Sequence, residues 1–270
     1  MNTESQSLSV PAQLLGQLHY LWRVLATGLA FLLFSVGGFL FIALPTLILI
    51  VLPINKDYRQ GVTRRLISRV FSIYLLILRG LGLITFHFEG LENLKENGQF
   101  VIANHPTLLD VVLLISAIRK ADCLIKADLL KMPLTASAVR SAGYIPNGSE
   151  DTLDLCVNTL NKGYSLVVFP EGTRTVNLQA PKFLRGAANI ALACESDITP
   201  VWIRCEPLTL RKGEPWYRIC EKPPVFTVKV LPPIKIEEFL SYSEWPSQRA
   251  RHLTKYLQSF YQHLAERSRD

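Results

Sequence analysis

The hydrophobic pattern of the chain begins with a long apolar stretch near its N-terminus. No charged residue lies between Val24 and Ile54, and Leu, Phe, Ile and Val predominate there. A membrane span needs about 20 apolar residues, so Val24–Leu44 alone is long enough. Pro45 lacks an N–H group and should kink or end a helix at that point. The pattern therefore predicts either one tilted, kinked span or a re-entrant hairpin.

After residue 83 the pattern changes to short apolar segments that alternate with segments of helical spacing. Strands are predicted at 83–88, 100–103, 123–126, 144–145, 165–169, 199–205 and 225–230, and helices at 108–118, 132–142, 150–162, 183–195 and 247–267. This alternation predicts an α/β fold, a mixed sheet covered by helices. The chain divides into a polar segment (1–23), a membrane-anchoring and interfacial helical segment (24–83, with an amphipathic helix at 66–83) and a globular domain (84–270).

Charge supports a membrane location. The chain has a formal net charge of +7, and the basic excess is concentrated just after the apolar stretch, with Asp57 as the acidic exception; the basic residues are Lys56, Arg59, Arg64, Arg65, Arg69 and Arg79. Basic residues beside an apolar segment mark the cytoplasmic side and attract anionic lipids. We therefore expect the cell membrane (the inner membrane if the source is bacterial), a domain on the cytoplasmic face, membrane lipids as partners and no nucleic acid.

The first candidate motif is Asn104–Asp110, which follows an apolar strand and opens a helix. His105 should lie at the strand end, and Asp110 about one turn into the helix could reach back to the imidazole. A carboxylate on one ring nitrogen fixes the tautomer and raises the basicity of the other, as a general base requires. The alternative is a His that caps the helix, with Asp110 placed favourably for the helix dipole.

The second candidate motif is Phe169–Thr175, which also follows an apolar strand. Pro170 and Gly172 predict a tight turn, and Glu171 and Arg174 carry opposite charges. Backbone N–H groups in such a turn, together with a guanidinium group, can form an anion pocket. The alternative is a surface turn with a local ion pair.

In this order, the two motifs resemble the glycerophospholipid acyltransferase family, in particular the 1-acylglycerol-3-phosphate acyltransferases. Two further blocks match the family pattern, Gly143–Asn147 and Thr199–Trp202, so the resemblance covers roughly residues 85–235. It implies that 84–270 is an acyltransferase domain. It also implies an N-terminal hydrophobic or interfacial element, which suits residues 24–83.

The resemblance implies that His105, oriented by Asp110, removes a proton from a lysophospholipid hydroxyl, which attacks an acyl thioester directly. The expected acceptor is 1-acyl-sn-glycerol-3-phosphate, giving phosphatidic acid, and the donor is acyl-CoA or acyl carrier protein. No bound cofactor and no metal are expected. Implied or candidate substrate-binding residues are Asn104, Lys126, Glu171, Gly172, Thr173, Arg174, Lys182 and Arg185. For Lys182 and Arg185, a solvated helix start is an equal alternative.

One departure keeps the acceptor open. Many family members carry a basic residue at the end of the block that here contains Asn147. The missing charge leaves a different acceptor, such as an aminoacyl lipid or a specialised cell-surface lipid, as the alternative. Two other classes are an inactive lipid-binding protein and a metal-dependent hydrolase using His87, His105, Asp110 and Glu171, although these four lack a compact ligand spacing.

Overall fold

A computed structural model describes residues 10–94, 98–177 and 181–268. Within these residues seven strands form one sheet, in the order β1-β7-β6-β2-β5-β3-β4. Neighbouring strands are parallel except β6 and β7, which are antiparallel. The predicted mixed sheet is confirmed. The strands are Thr85–Glu89 (β1), Phe100–Ala103 (β2), Ala121–Ile125 (β3), Ile145–Pro146 (β4), Ser165–Val168 (β5), Ile198–Glu206 (β6) and Val225–Val230 (β7).

Helices cover both faces of the sheet. They are Val10–Gly38 (α1), Leu44–Val51 (α2), Lys56–Gly80 (α3), Asp110–Ala117 (α4), Pro133–Ala142 (α5), Thr152–Asn161 (α6), Arg185–Ala193 (α7), Glu237–Leu240 (α8) and Pro246–Arg267 (α9). The alternation of β2 shows the two layers: Val101 and Ala103 pack with α3 and α4, whereas Phe100 and Ile102 pack with α7 and α9. The carboxyl end of β2 is therefore held between two apolar layers.

Pro45 was expected to kink or end the N-terminal helix, and the helix continues through it, so the expected end is wrong. A π-helical turn, Phe39–Ala43, precedes α2, and Pro45 lies in the first turn of α2. Such a turn changes the hydrogen-bond register, and proline is tolerated where the backbone N–H would lack a helical partner. The result is one helical segment, Gly16–Val51, of 36 residues, which contains an 18-residue stretch of mean hydropathy 2.4 and is long and apolar enough to cross a membrane.

This helical segment lies along α3 rather than away from the domain. Hydrogen bonds join it to the rest of the chain near both ends and in the middle: Trp22 Nε1 to Leu81 O (3.3 Å), Tyr74 OH to Ala30 O (3.2 Å) and Ser137 Oγ to Ala43 O (3.1 Å). Ala26, Ala30 and Ile42 belong to the same buried cluster as the β2 residues Val101 and Ala103. The inner face of the segment is therefore part of the core, and its outer face is left exposed.

Helix α3 starts about ten residues before the predicted amphipathic helix at 66–83. Asn55 caps it, because its side-chain oxygen accepts a hydrogen bond from the backbone N–H of Asp57 (2.8 Å). A side-chain acceptor at this position satisfies an otherwise unpaired N–H group of the first turn. The helix can then begin among polar residues, where hydrophobic spacing alone gives no signal.

Arg64 on α3 was expected to belong to a lipid-facing basic cluster, and the structure shows that it points into the domain. Its side chain is only 2% exposed and forms a 2.7 Å ion pair with Asp122, which is buried on β3. Its Nε also donates to Ala142 O (2.9 Å), and its guanidinium group lies 4.2 Å from the centre of the Tyr164 ring. Arg64 therefore fastens α3 to the domain and is not available to lipid head groups.

Candidate active site

The two sequence motifs meet at one edge of the sheet. Strands β2 and β5 are parallel neighbours, with Ile102 opposite Val168, so their carboxyl ends lie side by side. His105 follows the first strand, and Phe169 follows the second. The aromatic rings of these two residues lie 4.4 Å apart, centre to centre. Motifs that are more than sixty residues apart in the sequence thus form one site.

His105 and Asp110 form a close pair. His105 Nδ1 lies 2.8 Å from Asp110 Oδ2, and the Asp110 side chain is completely buried. A Nδ1–H group that donates to this carboxylate leaves Nε2 as the basic ring nitrogen. Asp110 is the first residue of α4, not one turn inside it. The side chain nevertheless reaches the imidazole, because the short segment between strand and helix folds back.

Thr107 holds the carboxylate in place. Its backbone N–H donates to Asp110 Oδ2 (2.7 Å), and its hydroxyl donates to Asp110 Oδ1 (2.6 Å). Burial raises the pKa of Asp110, and the hydrogen bonds from His105 and Thr107 oppose that rise. The carboxylate therefore has acceptor bonds on both oxygens, which fix the orientation of the imidazole.

The second motif supports His105 from its backbone side. The N–H of His105 faces Glu171 Oε1 (3.3 Å) and Thr175 Oγ1 (3.2 Å), and the N–H of Thr175 donates to His105 O (2.6 Å). The Thr175 hydroxyl donates to Glu171 Oε1 (2.5 Å). Burial raises the pKa of Glu171, while the Thr175 and His105 bonds oppose it. Glu171 and Thr175 thus lock the strand-to-helix segment that carries the base.

Gly172 makes the turn that this arrangement needs. It has φ +65°, a conformation that residues with a Cβ rarely adopt, and a Cβ there would lie 2.9 Å from Leu184 Cδ1. The side chain of Gly172's neighbour Thr173 is half-buried. The predicted tight turn is confirmed.

Arg174 pairs with backbone, not with Glu171. Its Nη1 donates to the carbonyl oxygens of Leu210 (2.9 Å) and Arg211 (3.0 Å), in the loop between β6 and β7. Among the ion pairs of residues 10–94, 98–177 and 181–268, none includes Arg174. The local ion pair considered from the sequence is therefore wrong. Both described hydrogen bonds use Nη1, so Nε and Nη2 can bind a ligand.

Asn104 joins two strands. It is buried, its Nδ2 donates to Ile203 O (2.8 Å), and its Oδ1 accepts from Ile203 N–H (2.7 Å). The amide thus continues the β2–β6 pairing beyond the end of β2. Its position favours support of the site over contact with a substrate, and its implied substrate contact stays a prediction.

The other candidate cations surround the same edge. Lys126 follows β3, which is parallel to β5, and its side chain is exposed. Lys182 and Arg185 are exposed at the start of α7. Asn147 lies at the end of β3, close to Lys126 in the strand pairing, because its backbone N–H donates to Ile125 O (2.7 Å). The roles of these cations in substrate binding stay predictions.

The four residues of the metal hypothesis are not assembled. His87 is on β1, and strands β7 and β6 separate it from β2. In the described part of the chain, no group of three or more His, Cys, Asp and Glu side chains is placed to share a metal ion. The geometry thus gives the metal-dependent hydrolase no support.

Three features of the site were not predicted from the sequence: Thr107, the support that Thr175 gives to His105, and the loop residues that hold Arg174. Thr107 and Thr175 lie inside the two motifs, so a hydroxyl beside each carboxylate was a usable signal. Leu210 and Arg211 contribute only backbone oxygens. Backbone acceptors carry no side-chain signature, and their partner lies far away in the sequence.

Comparisons with known proteins agree with this geometry. Residues 85–204 match the family model described as Acyltransferase. The chain is 28% identical to the chloroplastic 1-acyl-sn-glycerol-3-phosphate acyltransferase of Arabidopsis thaliana over 123 residues, which are 43% of this chain and 35% of that protein. The match thus spans about a third of that relative's length. It is 27% identical to the Pseudomonas aeruginosa 1-acyl-sn-glycerol-3-phosphate acyltransferase over 189 residues, 66% of this chain and 70% of the relative.

A solved structure has the same fold. The 1-acyl-sn-glycerophosphate acyltransferase of Thermotoga maritima superposes with a TM-score of 0.66 at 20% sequence identity, covering 94% of this chain and 98% of that chain. The matched family segment contains both motifs, which the fold places at one sheet edge. Residues 85–204 are thus similar to acyltransferase domains, and the chain as a whole has the fold of a solved 1-acyl-sn-glycerophosphate acyltransferase.

Proposed function

We propose that the protein is a membrane-bound O-acyltransferase that moves a fatty acyl group from an acyl thioester to the hydroxyl of 1-acyl-sn-glycerol-3-phosphate, giving phosphatidic acid. The observation that carries the proposal is the 2.8 Å contact between His105 Nδ1 and the buried Asp110 carboxylate, beside the turn that contains Glu171. A base at a sheet edge, an adjacent half-buried carboxyl group and the nearby Arg174 suit an anionic acceptor with a free hydroxyl.

In this mechanism His105 Nε2 removes the proton of the acceptor hydroxyl as its oxygen attacks the thioester carbonyl carbon. The new C–O bond forms, the C–S bond breaks, and the imidazolium returns the proton to the leaving thiolate. Asp110 stabilises the imidazolium and keeps Nδ1 protonated, as a buried carboxylate does for a catalytic His. Nε and Nη2 of Arg174 are suited to bind the acceptor phosphate.

The exposed face of the N-terminal helices supports the proposed membrane attachment. The outward apolar side chains include Leu25, Leu29, Leu32, Phe41, Leu47 and Val51. On α3, Arg65 and Arg69 are exposed in the middle of the helix, and Ile73, Leu76 and Ile77 are exposed towards its end. Because α1 and α2 touch the domain at both ends, an in-plane insertion with this face in the lipid suits the fold better than a crossing helix.

The acceptor has a second candidate class. Asn147 is exposed at the site edge where the family pattern has a basic residue. A phosphate bound there would lack one cation. A lysolipid with a weaker anionic demand, acylated by the same chemistry, is the alternative, and acyl-CoA and acyl carrier protein are both suitable donors.

The test is acyl transfer by the purified protein in vesicles, from labelled acyl-CoA and acyl carrier protein, to lysophosphatidate and a panel of other lysolipids. His105→Ala should lower turnover by about 10²–10⁴-fold, the contribution of a general base. His87→Ala is the matched control, because that imidazole is exposed on β1 and lies away from the site. Turnover of His105→Ala close to that of His87→Ala would refute the mechanism, and transfer to another lysolipid alone would favour the alternative acceptor.

A further inference from the structure

The loop between β6 and β7, residues 207–224, leaves the sheet at the edge of the active site. Strands β2 and β6 are parallel, with Ala103 opposite Val201, so the carboxyl end of β6 lies on the side of His105. We call this loop the strap. It returns to the sheet as the antiparallel strand β7.

One part of the strap holds Arg174. The carbonyl oxygens of Leu210 and Arg211 both accept from Nη1, at 2.9 and 3.0 Å. Two acceptors on one nitrogen fix the plane of a guanidinium group, since its donors have a rigid fork geometry. The strap therefore decides where the remaining N–H groups of Arg174 point.

Another part of the strap is held by the membrane helix α1. Arg23 is 8% exposed, and its Nη1 and Nη2 donate to Glu221 O and Cys220 O, both at 2.5 Å. Nearby, the Trp216 ring lies 5.6 Å from the Phe31 ring, centre to centre, and a Cβ at Gly28 would lie 3.6 Å from it. The strap and helix α1 are thus joined by two hydrogen bonds from the Arg23 guanidinium group, which we call the Arg23 clamp, and by an aromatic contact.

The strap is braced between these two attachments. The backbone N–H of Arg211 donates to Glu214 Oε2 (3.0 Å), and the N–H of Glu214 donates to Arg211 O (3.1 Å). Cys220 Sγ lies 3.6 Å from Leu208 O, which joins the two ends of the loop. A displacement at Cys220 is therefore passed to the segment that holds Arg174.

We propose that Arg23 is a positioning residue for Arg174 and acts through the strap. The position of α1 in the membrane then sets the orientation of the guanidinium group that binds the acceptor. The assignment of Arg174 to the acceptor rests on the proposed function. The link from Arg23 to the strap rests on the hydrogen bonds alone. The two parts can be tested separately.

The experiment compares Arg23→Gln with wild type in vesicles by two measurements. Acceptor KM should rise about 10–100-fold with kcat changed much less, because a small misplacement of a binding group has this effect. Limited trypsin digestion should cut faster within the strap, after Arg211, Lys212 or Arg218. Arg23→Lys keeps a cation that can donate to the same carbonyls, so both effects should be smaller. In an Arg174→Gln background, Arg23→Gln should raise KM no further.

Arg249→Gln is the matched control. Its Nε donates to Ser243 O in another loop, so it removes the same kind of bond away from the strap and should leave acceptor KM unchanged. Trp216→Ala removes the aromatic contact between the strap and Phe31, and the Trp216 side chain is half-exposed, so this variant should fold. It should repeat both effects if Arg23→Gln does not fold. Wild-type digestion kinetics in Arg23→Gln or Trp216→Ala, or additive KM effects with Arg174→Gln, would overturn the proposal. If wild type transfers no acyl group to any lysolipid, the proposed function fails while faster digestion still supports the Arg23 clamp.

Discussion

Asp110→Asn should separate the charge of the carboxylate from its geometry. The amide oxygen can replace Oδ2 and accept from His105 Nδ1–H and Thr107 N–H, at the present 2.8 and 2.7 Å. The amide NH₂ group then faces the Thr107 hydroxyl, which now donates to Oδ1 at 2.6 Å and can reverse to accept. The substitution therefore keeps the hydrogen bonds and removes the negative charge.

The size of the effect follows from that lost charge. Two unit charges about 4 Å apart interact by about 4 kcal/mol at an effective dielectric constant of about 20. The imidazolium forms only as the hydroxyl gives up its proton, so the loss applies to the transition state. About 4 kcal/mol corresponds to a reduction of about 10³-fold in kcat, with little change in acceptor KM.

The assay is initial-rate acyl transfer in vesicles, with thermal unfolding of both proteins as the control for folding. Asp110→Asn should melt close to wild type, since every hydrogen bond has a replacement. A rate within about tenfold of wild type would show that Asp110 only orients the ring. A large loss in both stability and rate would show that the amide cannot adopt the wild-type geometry.

Two further predictions concern the helices. Asp122→Asn should destabilise the protein by about 3–5 kcal/mol, because the buried Arg64 cannot lose its charge. Arg64→Met should lower the free energy of unfolding by less. Burial already raises the pKa of Asp122 to about 6, above its unfolded value, so this carboxyl can take up a proton in the folded state. The loss of stability should therefore shrink as pH falls from about 7 to about 5. Leu25→Glu with Leu32→Glu should release the protein from membranes without unfolding it, since these side chains are 72% and 58% exposed and each buried Leu contributes about 1.5–3 kcal/mol.

Chemical denaturation at several pH values checks the first pair, and equal losses at all pH values would contradict it. Vesicle flotation in high salt checks the leucine change. Leu153→Glu with Leu155→Glu is its control, because both side chains are 40% exposed on α6, which belongs to the other layer of the sheet. Equal flotation of the two double variants would argue against the exposed face of α1 as the membrane surface.

The core of the site was predictable because each motif is continuous in the sequence. His105 and Asp110 are five residues apart, and a strand that runs into a helix brings such residues together without distant contacts. The regular alternation of strands and helices likewise predicted the sheet. What joined the two motifs was the pairing of β2 with β5, which the sequence does not specify by itself.

Other features depend on packing across the fold and could not be predicted locally. Arg64 belongs to a row of basic residues, yet it points inward because Asp122, on a distant strand, offers a buried partner. Pro45 was expected to interrupt a helix, and a preceding π-helical turn accommodates it. Arg23 precedes the apolar stretch and finds its acceptors near residue 220.

The N-terminal helices are joined to the domain at both ends, so they are a fixed part of its structure and not a flexible tether. A tethered domain could sample the aqueous phase, whereas in the proposed membrane-bound state this domain would meet the bilayer as a rigid body, with His105 at a set height. In the proposed reaction, the acceptor then arrives by lateral diffusion within one leaflet. The rate should consequently follow the mole fraction of lysolipid in the membrane, and diluting the surface with inert lipid should slow the enzyme at constant bulk concentration.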